Sequence, residues 1–161
     1  MSITKENAVG GQGGFIDNTE KFEIVIESHH RITGLHVYSD LMLDGIGLIV
    51  NNESNVYKEF RVKGKMTLIP IDRGKKEFIK QVHVYYGNVI DRIAFDIAGE
   101  EDDDLNDPNR EGRWTQFYGR SRGGPNSKIF SAKPGEEICG FHGKKGVRVD
   151  TLGVFTRPIP V

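Results

Sequence analysis

Gly143-Lys-Lys-Gly-Val-Arg-Val-Asp150-Thr-Leu-Gly-Val154 is one of three stretches of this chain that align without gaps. The others are Val37-Tyr-Ser-Asp-Leu-Met-Leu-Asp44-Gly-Ile-Gly-Leu48 and Val84-Tyr-Tyr-Gly-Asn-Val-Ile-Asp91-Arg-Ile-Ala-Phe95. Each carries an aspartate after an apolar residue. A polar or small residue, an aliphatic one, a small one and an apolar one follow. Asp44, Asp91 and Asp150 lie 47 and 59 residues apart, and the longer interval contains an acidic insertion at 99–112. Self-similarity at such a period signals copies of one supersecondary unit.

The residues around the repeats read as strands. Alternating or continuous β-branched and aromatic runs occur at 22–27, 32–38, 46–50, 59–62, 65–69, 79–86, 92–97, 114–118, 128–130, 137–141 and 151–156, and such runs bounded by turn residues predict β structure. About four strands per copy make the unit a four-stranded antiparallel sheet, and the whole an all-β sandwich, barrel or prism. The 20 glycines among 161 residues exceed the average usage of about 7%. They cluster as Gly10-Gly-Gln-Gly-Gly14 and Gly123-Gly124, and as Gly140, Gly143, Gly146 and Gly153. Phe78 is a candidate start for a single helical turn. Phe22, Phe60, Phe78, Phe95, Phe117 and Phe155, with Trp114, are expected in the core; the alternative for Trp114 is a sugar-stacking platform. Cys139 is read as a small buried hydrophobe.

Composition bounds the function. Net charge is -1, with no whole-chain basic field for nucleic acid. No apolar run reaches the roughly 20 residues of a membrane helix, so no membrane insertion is expected. One cysteine allows neither an internal disulfide nor a multi-cysteine zinc site. Met1–Val9 lacks the basic and apolar regions of a secretory signal, and the expected location is cytoplasmic, or secreted without a visible signal peptide. The chain reads as one domain over 1–161, with an N-terminal extension at 1–8. The 99–112 segment reads as a solvated loop. Asp102, Asp104 and Asn106 alternate as in a calcium loop, but Asp107 stands where glycine is required and Arg113 where glutamate is. His29, His30, His36 and His142 lack metal-like spacing, and no metal or cofactor is expected. No hydrolase, zincin or phosphate-loop pattern is present. The three aspartates sit on separate repeats and give no carboxylate pair for glycoside hydrolysis, so no enzyme is expected.

The second and third copies contain Gly-x-x-x-Asp, at Gly87 to Asp91 and Gly146 to Asp150. A glycine lets a loop curl so that successive N–H groups face one concavity. A carboxylate four residues on can accept two hydroxyl hydrogen bonds, and charge-assisted bonds are the strong ones. That arrangement suits a sugar ring with adjacent hydroxyls. Gly and Asp are also common turn residues. A prism that serves as an interaction or scaffold domain without sugar binding, part of a larger toxin or stress protein, therefore stands as the alternative.

Gly10-Gly-Gln-Gly-Gly14-Phe-Ile-Asp17 resembles the N-terminal glycine-rich segment of jacalin-related lectins. Ile138-Cys-Gly-Phe-His-Gly-Lys-Lys-Gly-Val-Arg-Val-Asp150-Thr-Leu-Gly-Val154 is similar to that family's last hairpin, G-F-x-G-x-x-G-x-x-x-D-x-(I/L)-G-V. Tyr118-Gly119, Gly123-Gly124 and Phe130, and Ile79 to Val82 with Ile93 to Phe95, resemble further family segments. The resemblance runs over about residues 9–156. It implies a β-prism I fold of three four-stranded Greek-key antiparallel sheets about a pseudo-threefold axis. It also implies metal-independent binding of mannose- or glucose-type glycans or glycoproteins. The primary site would comprise Gly14, Gly146, Val147, Arg148, Val149 and Asp150. Asp150 would accept from two hydroxyls, Val147 and Arg148 would donate N–H groups, and Gly14 would admit the ring. The chain is unbroken through Gly14, which in the family goes with mannose or glucose rather than galactose. Gly87, Asn88, Val89, Ile90 and Asp91, closed by Gly123 and Gly124, form a second candidate site, against which Arg120 stands as a residue able to salt-bridge Asp91. Asp40 replaces the glycine in the first repeat, so Asp44 is expected to be silent. Lys144, Lys145 and Arg148 make the primary loop cationic, beyond what the family pattern requires. A homo-oligomer, a dimer above all, is the expected assembly.

Overall fold

The computed structural model describes residues 2–11, 19–110 and 113–160. In chain order the strands are β1 (Thr4–Lys5), β2 (Val9–Gly10), β3 (Glu20–Val25), β4 (Ile32–Ser39), β5 (Leu43–Val50), β6 (Lys58–Arg61), β7 (Lys65–Pro70), β8 (Glu77–Tyr86), β9 (Ile90–Gly99), β10 (Tyr118–Gly119), β11 (Asn126–Ser131), β12 (Glu136–Lys145) and β13 (Val149–Pro158). They form three antiparallel sheets. The first repeat gives the order β6-β5-β4-β7 and the second β10-β9-β8-β11. In both, three hairpin-connected strands are followed by a fourth that returns beside the first, which is a Greek key. The third sheet is closed by the other end of the chain, in the order β1-β13-β12-β3 with β2 also on β13. The architecture is the three-sheet prism that the repeat and the resemblance predict.

The repeat holds down to ladder defects. Register shifts fall between Ile32 and Gly34, Ile79 and Gln81, and Ile138 and Gly140, and again at Tyr38/Ser39, Tyr85/Tyr86 and Lys144/Lys145. These are the same positions in each copy. A bulge bends and twists its strand, so each central hairpin curves alike. Each turns an apolar face to a common interior that includes Leu35, Leu48, Val82, Phe95, Phe141 and Val154, all inaccessible. Aromatic pairs join the sheets: Phe22 stacks on Phe60 with centroids 3.7 Å apart, and Phe95 meets Phe141 edge-on at 6.3 Å. Cys139 lies in this core, and burial pushes its thiol up to about 12, in keeping with an inert hydrophobe.

Several expectations need correction. Over 114–118, only Tyr118 enters a strand; Trp114 makes a single bridge to Asp96. The Thr115 hydroxyl accepts from the Phe95 N–H at 3.0 Å, taking the place of a ladder carbonyl. Trp114 and Phe117 are not core: they are 41% and 37% exposed, on the outer sheet face with His83 and Tyr85. Arg92 stacks on Tyr85 at 3.9 Å. Phe78 starts no helix but lies in β8, after a single 3-10 turn at Arg73–Lys75. The Asp72 carboxylate caps that turn through the Gly74 N–H at 2.8 Å, and Lys76 ends it at φ 54. Thr4 and Lys5, read as extension, pair with Thr156 and Phe155. The acidic segment is pinned rather than merely solvated. Buried Lys80 reaches Asp103 at 2.6 Å, and Arg110 reaches Asp96 at 2.6 Å.

Arg157 ties the end of the prism away from the aspartate loops. It is 1% exposed, bonds Glu137 through Nε at 2.8 Å, and donates to the carbonyls of Glu27 at 3.1 Å and His30 at 2.5 Å. Without Arg157, buried Glu137 keeps only a longer pair with Arg31, at 3.5 Å, and breaking a buried pair costs about 3–5 kcal/mol. Arg157→Met is expected to lose stability on that scale in urea unfolding; a loss under about 1 kcal/mol would show that Glu137 and the carbonyls find other partners.

Candidate functional site

The three aspartates share one end of the prism because each sits where a central hairpin turns. The turns are built alike. Gly146 N–H donates to the Arg148 carbonyl at 2.8 Å, Gly87 N–H to Val89 at 3.1 Å, and Asp40 N–H to Met42 at 3.2 Å. Asp40 thus makes the same turn as the glycines, and Gly87 is not at positive φ; glycine here supplies room, not backbone freedom. Each aspartate also receives a neighbouring chain at its carbonyl: Gly11 N–H to Asp150 at 3.1 Å, Arg120 to Asp91 at 2.9 Å, and Val62 to Asp44 at 2.8 Å.

Two of those neighbouring chains take the same path. Gly10 has φ 133 and Gly119 φ 114, and a Cβ on either would overlap the carbonyl oxygen of Asp150 or Asp91, at 2.2 and 2.3 Å. Positive φ and close approach together require glycine. Gly10 therefore corresponds to Gly119, and Gly14 to Gly123. That match was available in the sequence as a constant offset, but Gly10 and Gly119 were not singled out as site residues. Gly14 itself lies outside the described residues. A further contact has no sequence signal: a Cβ on Gly11 would lie 2.3 Å from the Asn88 backbone, so the amino-terminal segment rests on the second loop.

The carboxylates differ in what surrounds them. Asp44 is inaccessible, its two oxygens have no hydrogen-bond partner among the described residues, and a Cβ on Gly64 would fall 2.6 Å from Oδ2. The first-repeat carboxylate is closed off by Gly64 and not by Asp40, which keeps the turn of the other two loops. At Asp91 the Arg120 guanidinium stands 3.5 Å from Oδ1. Gly123 is beside it, its Cβ position 3.9 Å from Oδ1, whereas Gly124 packs on Tyr85 and Tyr86 and Pro125 fills the space over Gly87. Of the second candidate site, the structure brings Gly123 to Asp91 and puts Gly124 to structural use. Asp150 is 5% exposed, and no side-chain hydrogen bond reaches it among the described residues. Burial pushes its carboxyl above the usual carboxylate range, opposed by the charge of Arg148. Val149 is buried beneath it, while Val147 and Arg148 project to solvent. A carboxylate at a loop mouth, with its acceptor capacity unspent, is what a polyhydroxylated ligand needs.

Beside this loop, on the outer face of the third sheet, lies a cleft of about 270 Å³. Its lining includes Lys5, Lys21, Glu23, His142, Lys144 and Thr151. His142 Nε2 donates to the Glu6 carbonyl at 2.5 Å, and burial holds the ring's pKa below the usual histidine value. At the opposite end, Glu27, His29 and His30 bring ligand-type atoms within 4.8 Å of one another. Glu27 thus lies near both histidines although the sequence spacing of the three is not that of a metal site. The His30 Nδ1 is engaged there, accepting from the Glu27 N–H at 3.3 Å.

The fold is a three-sheet β-prism with three equivalent aspartate turns at one end. The sequence matches the model of the jacalin-like lectin domain over residues 7–155, and the chain belongs to that family. No curated protein sequence matches it. Among solved structures, the wild-type Malaysian banana lectin is 18% identical with a TM-score of 0.70, covering 98% of this chain and 100% of its own. An artocarpin–mannopentose complex is 16% identical with a TM-score of 0.68, covering 98% and 99%. A mannose-binding jacalin-related lectin from Ananas comosus is 18% identical with a TM-score of 0.66, covering 98% and 99%. These are likenesses of fold.

The buried, unpartnered Asp44 gives a test of the sealed loop. Burial raises its carboxyl. A carboxyl raised in the folded state disfavours folding above its folded pKa, and the penalty disappears below the unfolded value of about 3.9. Asp44→Asn is therefore expected to raise the melting temperature at pH 7, with the gain shrinking as pH falls toward 4. A variant less stable than wild type at pH 7 would mean that the carboxylate has a partner.

Proposed function

We propose that the protein is a metal-independent lectin that binds mannose- or glucose-type sugars at the loop formed by Gly146, Val147, Arg148, Val149 and Asp150. The observation that carries this reading is the contrast among three equivalent aspartates. Asp44 is sealed and Asp91 has a cation at 3.5 Å, while Asp150, as little exposed as Asp91, has no side-chain donor among the described residues. Asp150 would accept from two ring hydroxyls, and the N–H groups of Val147 and Arg148 would donate. The chain passes unbroken from Gly10 and Gly11, beside Asp150, toward Gly14. Mannose ligands or mannose binding named for several proteins of the same fold support the sugar class. One carboxylate and backbone donors need no cation. A single shallow site gains useful avidity from several copies, so a homodimer belongs to the proposal.

Charge-assisted hydrogen bonds are worth about 1.5–3 kcal/mol each. Asp150→Ala is expected to weaken mannoside binding at least about tenfold by titration calorimetry, with unchanged circular dichroism, and EDTA to leave wild-type binding intact. Wild-type affinity in the variant, or loss of binding in EDTA, would refute the assignment.

The second loop, with Gly87, Asn88, Val89, Ile90 and Asp91, retains the turn and the aspartate, and Arg120 occupies the place a hydroxyl would take. Wild type is expected to titrate with one sugar per chain. Arg120→Ala, which frees Asp91 beside Gly123, is expected to add a second, weaker equivalent. An unchanged stoichiometry would show that Pro125 over Gly87, rather than Arg120, closes that loop.

A further inference from the structure

The end of the prism that carries the three buried aspartates has an exposed rim made mostly of cations. Each repeat brings exposed cations to it: Lys63 and Lys65 beside Asp44, Arg120 and Arg122 beside Asp91, and Lys144 and Arg148 beside Asp150. Exposed Lys21 joins them from β3, directly opposite Lys144 in the ladder. The aspartates themselves are buried. Glu20 and Asp40 are exposed acids of this end, and Glu20 pairs with Lys145 at 3.6 Å. Among the described residues, Lys21, Lys63, Lys65, Arg122, Lys144 and Arg148 form no ion pair. The opposite end holds the acidic segment with Glu100, Glu101, Asp102, Asp103, Asp104 and Asp107. That end also holds cations, but several of them are paired with its acids, as Lys80 is with Asp103 and Arg110 with Asp96.

Nothing in the fold calls for this distribution. Like charges directly opposite on neighbouring strands destabilise a sheet, yet Lys21 and Lys144 are so placed. The Asp40 turn shows that the loops form without cations at their tips. Three repeats that diverged at most surface positions still each present at least two cations at the same end. Their fields add within a Debye length of about 10 Å at 0.1 M salt. The cations are spread around three loops instead of converging on one pocket, so the matching ligand is an extended polyanion and not a single phosphate. Arg120 is half exposed and its contact with Asp91 is long, so it can turn outward to such a ligand.

We propose that this end binds acidic polysaccharides, chains of pyranoses bearing sulfate or carboxylate groups. One ring sits in the loop of Asp150, and the acidic groups of neighbouring rings lie against the cations of the other two repeats. The inference rests on the sugar-binding reading of Asp150 and adds the class of glycan.

The test uses the full chain with heparin, polygalacturonate and neutral mannan at 50 and 500 mM NaCl, and with single-stranded DNA and phosphatidylserine vesicles as other polyanions. Heparin or polygalacturonate is expected to bind at least about tenfold tighter than mannan at 50 mM NaCl, and to lose most of that advantage at 500 mM. Lys65→Ala/Arg122→Ala, outside the loop of Asp150, is expected to weaken acidic-polysaccharide binding severalfold, with mannan binding and melting temperature unchanged. Asp150→Ala is expected to weaken both. Mannan binding lost in Asp150→Ala, with no preference for acidic chains, would overturn this inference and leave the sugar site standing. Acidic-chain binding indifferent to Asp150→Ala, or matched by DNA or vesicles, would overturn it as mere polyelectrolyte attraction. Absence of mannan binding in wild type would strike the sugar reading itself.

Discussion

Three hairpins must each turn one apolar face toward a shared axis, and the rest of the molecule follows from how they do so. A flat antiparallel pair cannot wrap a common core with two others. The paired register shifts in β4/β5, β8/β9 and β12/β13 supply the bend at equivalent places. Because the bends coincide, the three turns end at one level, and the aspartates that follow them share one end of the prism. The outer strands then need only cover the flanks, which explains why they can be as short as β10, at two residues. Burial of Phe95, Phe141, Leu48 and their neighbours stabilises this arrangement more than any strand edge does, since apolar burial is the dominant favourable term.

The same end carries three chemically distinct carboxyls made from one template. Gly64 closes over Asp44, Arg120 leans on Asp91, and among the described residues neither happens at Asp150. The surroundings of each carboxylate are therefore set by what the adjacent chain delivers to it, not by the aspartate or its turn. Asp40 makes the point most clearly. It forms the turn that Gly87 and Gly146 form, and Asp44 is closed off by Gly64 instead.

Much of this was legible in the sequence because period-2 alternation and the aspartate repeat are local signals. The central strands, the threefold plan and the conflict between Arg120 and Asp91 could all be read from neighbouring residues. What escaped depends on distant partners. Trp114 and Phe117 look like core residues by type, but their segment runs over an outer face. Its ladder is interrupted by a threonine hydroxyl whose choice of partner no pattern reveals. The 99–112 segment looked solvated because its acids are contiguous. Its anchors, Lys80 and Gly135, come from two other places in the chain. Glu27, His29 and His30 converge because a turn folds back on itself, a geometry that spacing alone understates. The contact of Gly11 with Asn88 joins segments of different sheets and leaves no trace in either.

The third sheet is completed by residues from opposite ends of the sequence, Thr4 beside Thr156 and Gly10 beside Thr151. The first two sheets are each contained in a continuous stretch and can form as the chain is made, whereas the third has to wait. During synthesis, β1, β2 and β3 leave the ribosome with no partner and remain so until β12 and β13 follow, more than a hundred residues later. Contacts of such sequence separation are slow to close. The loop of Asp150 and the strand that meets it at Gly10 are therefore the last part of the prism to assemble. A truncated or stalled product would display two finished sheets and an unpaired amino-terminal strand, a ready template for pairing with another unfinished copy.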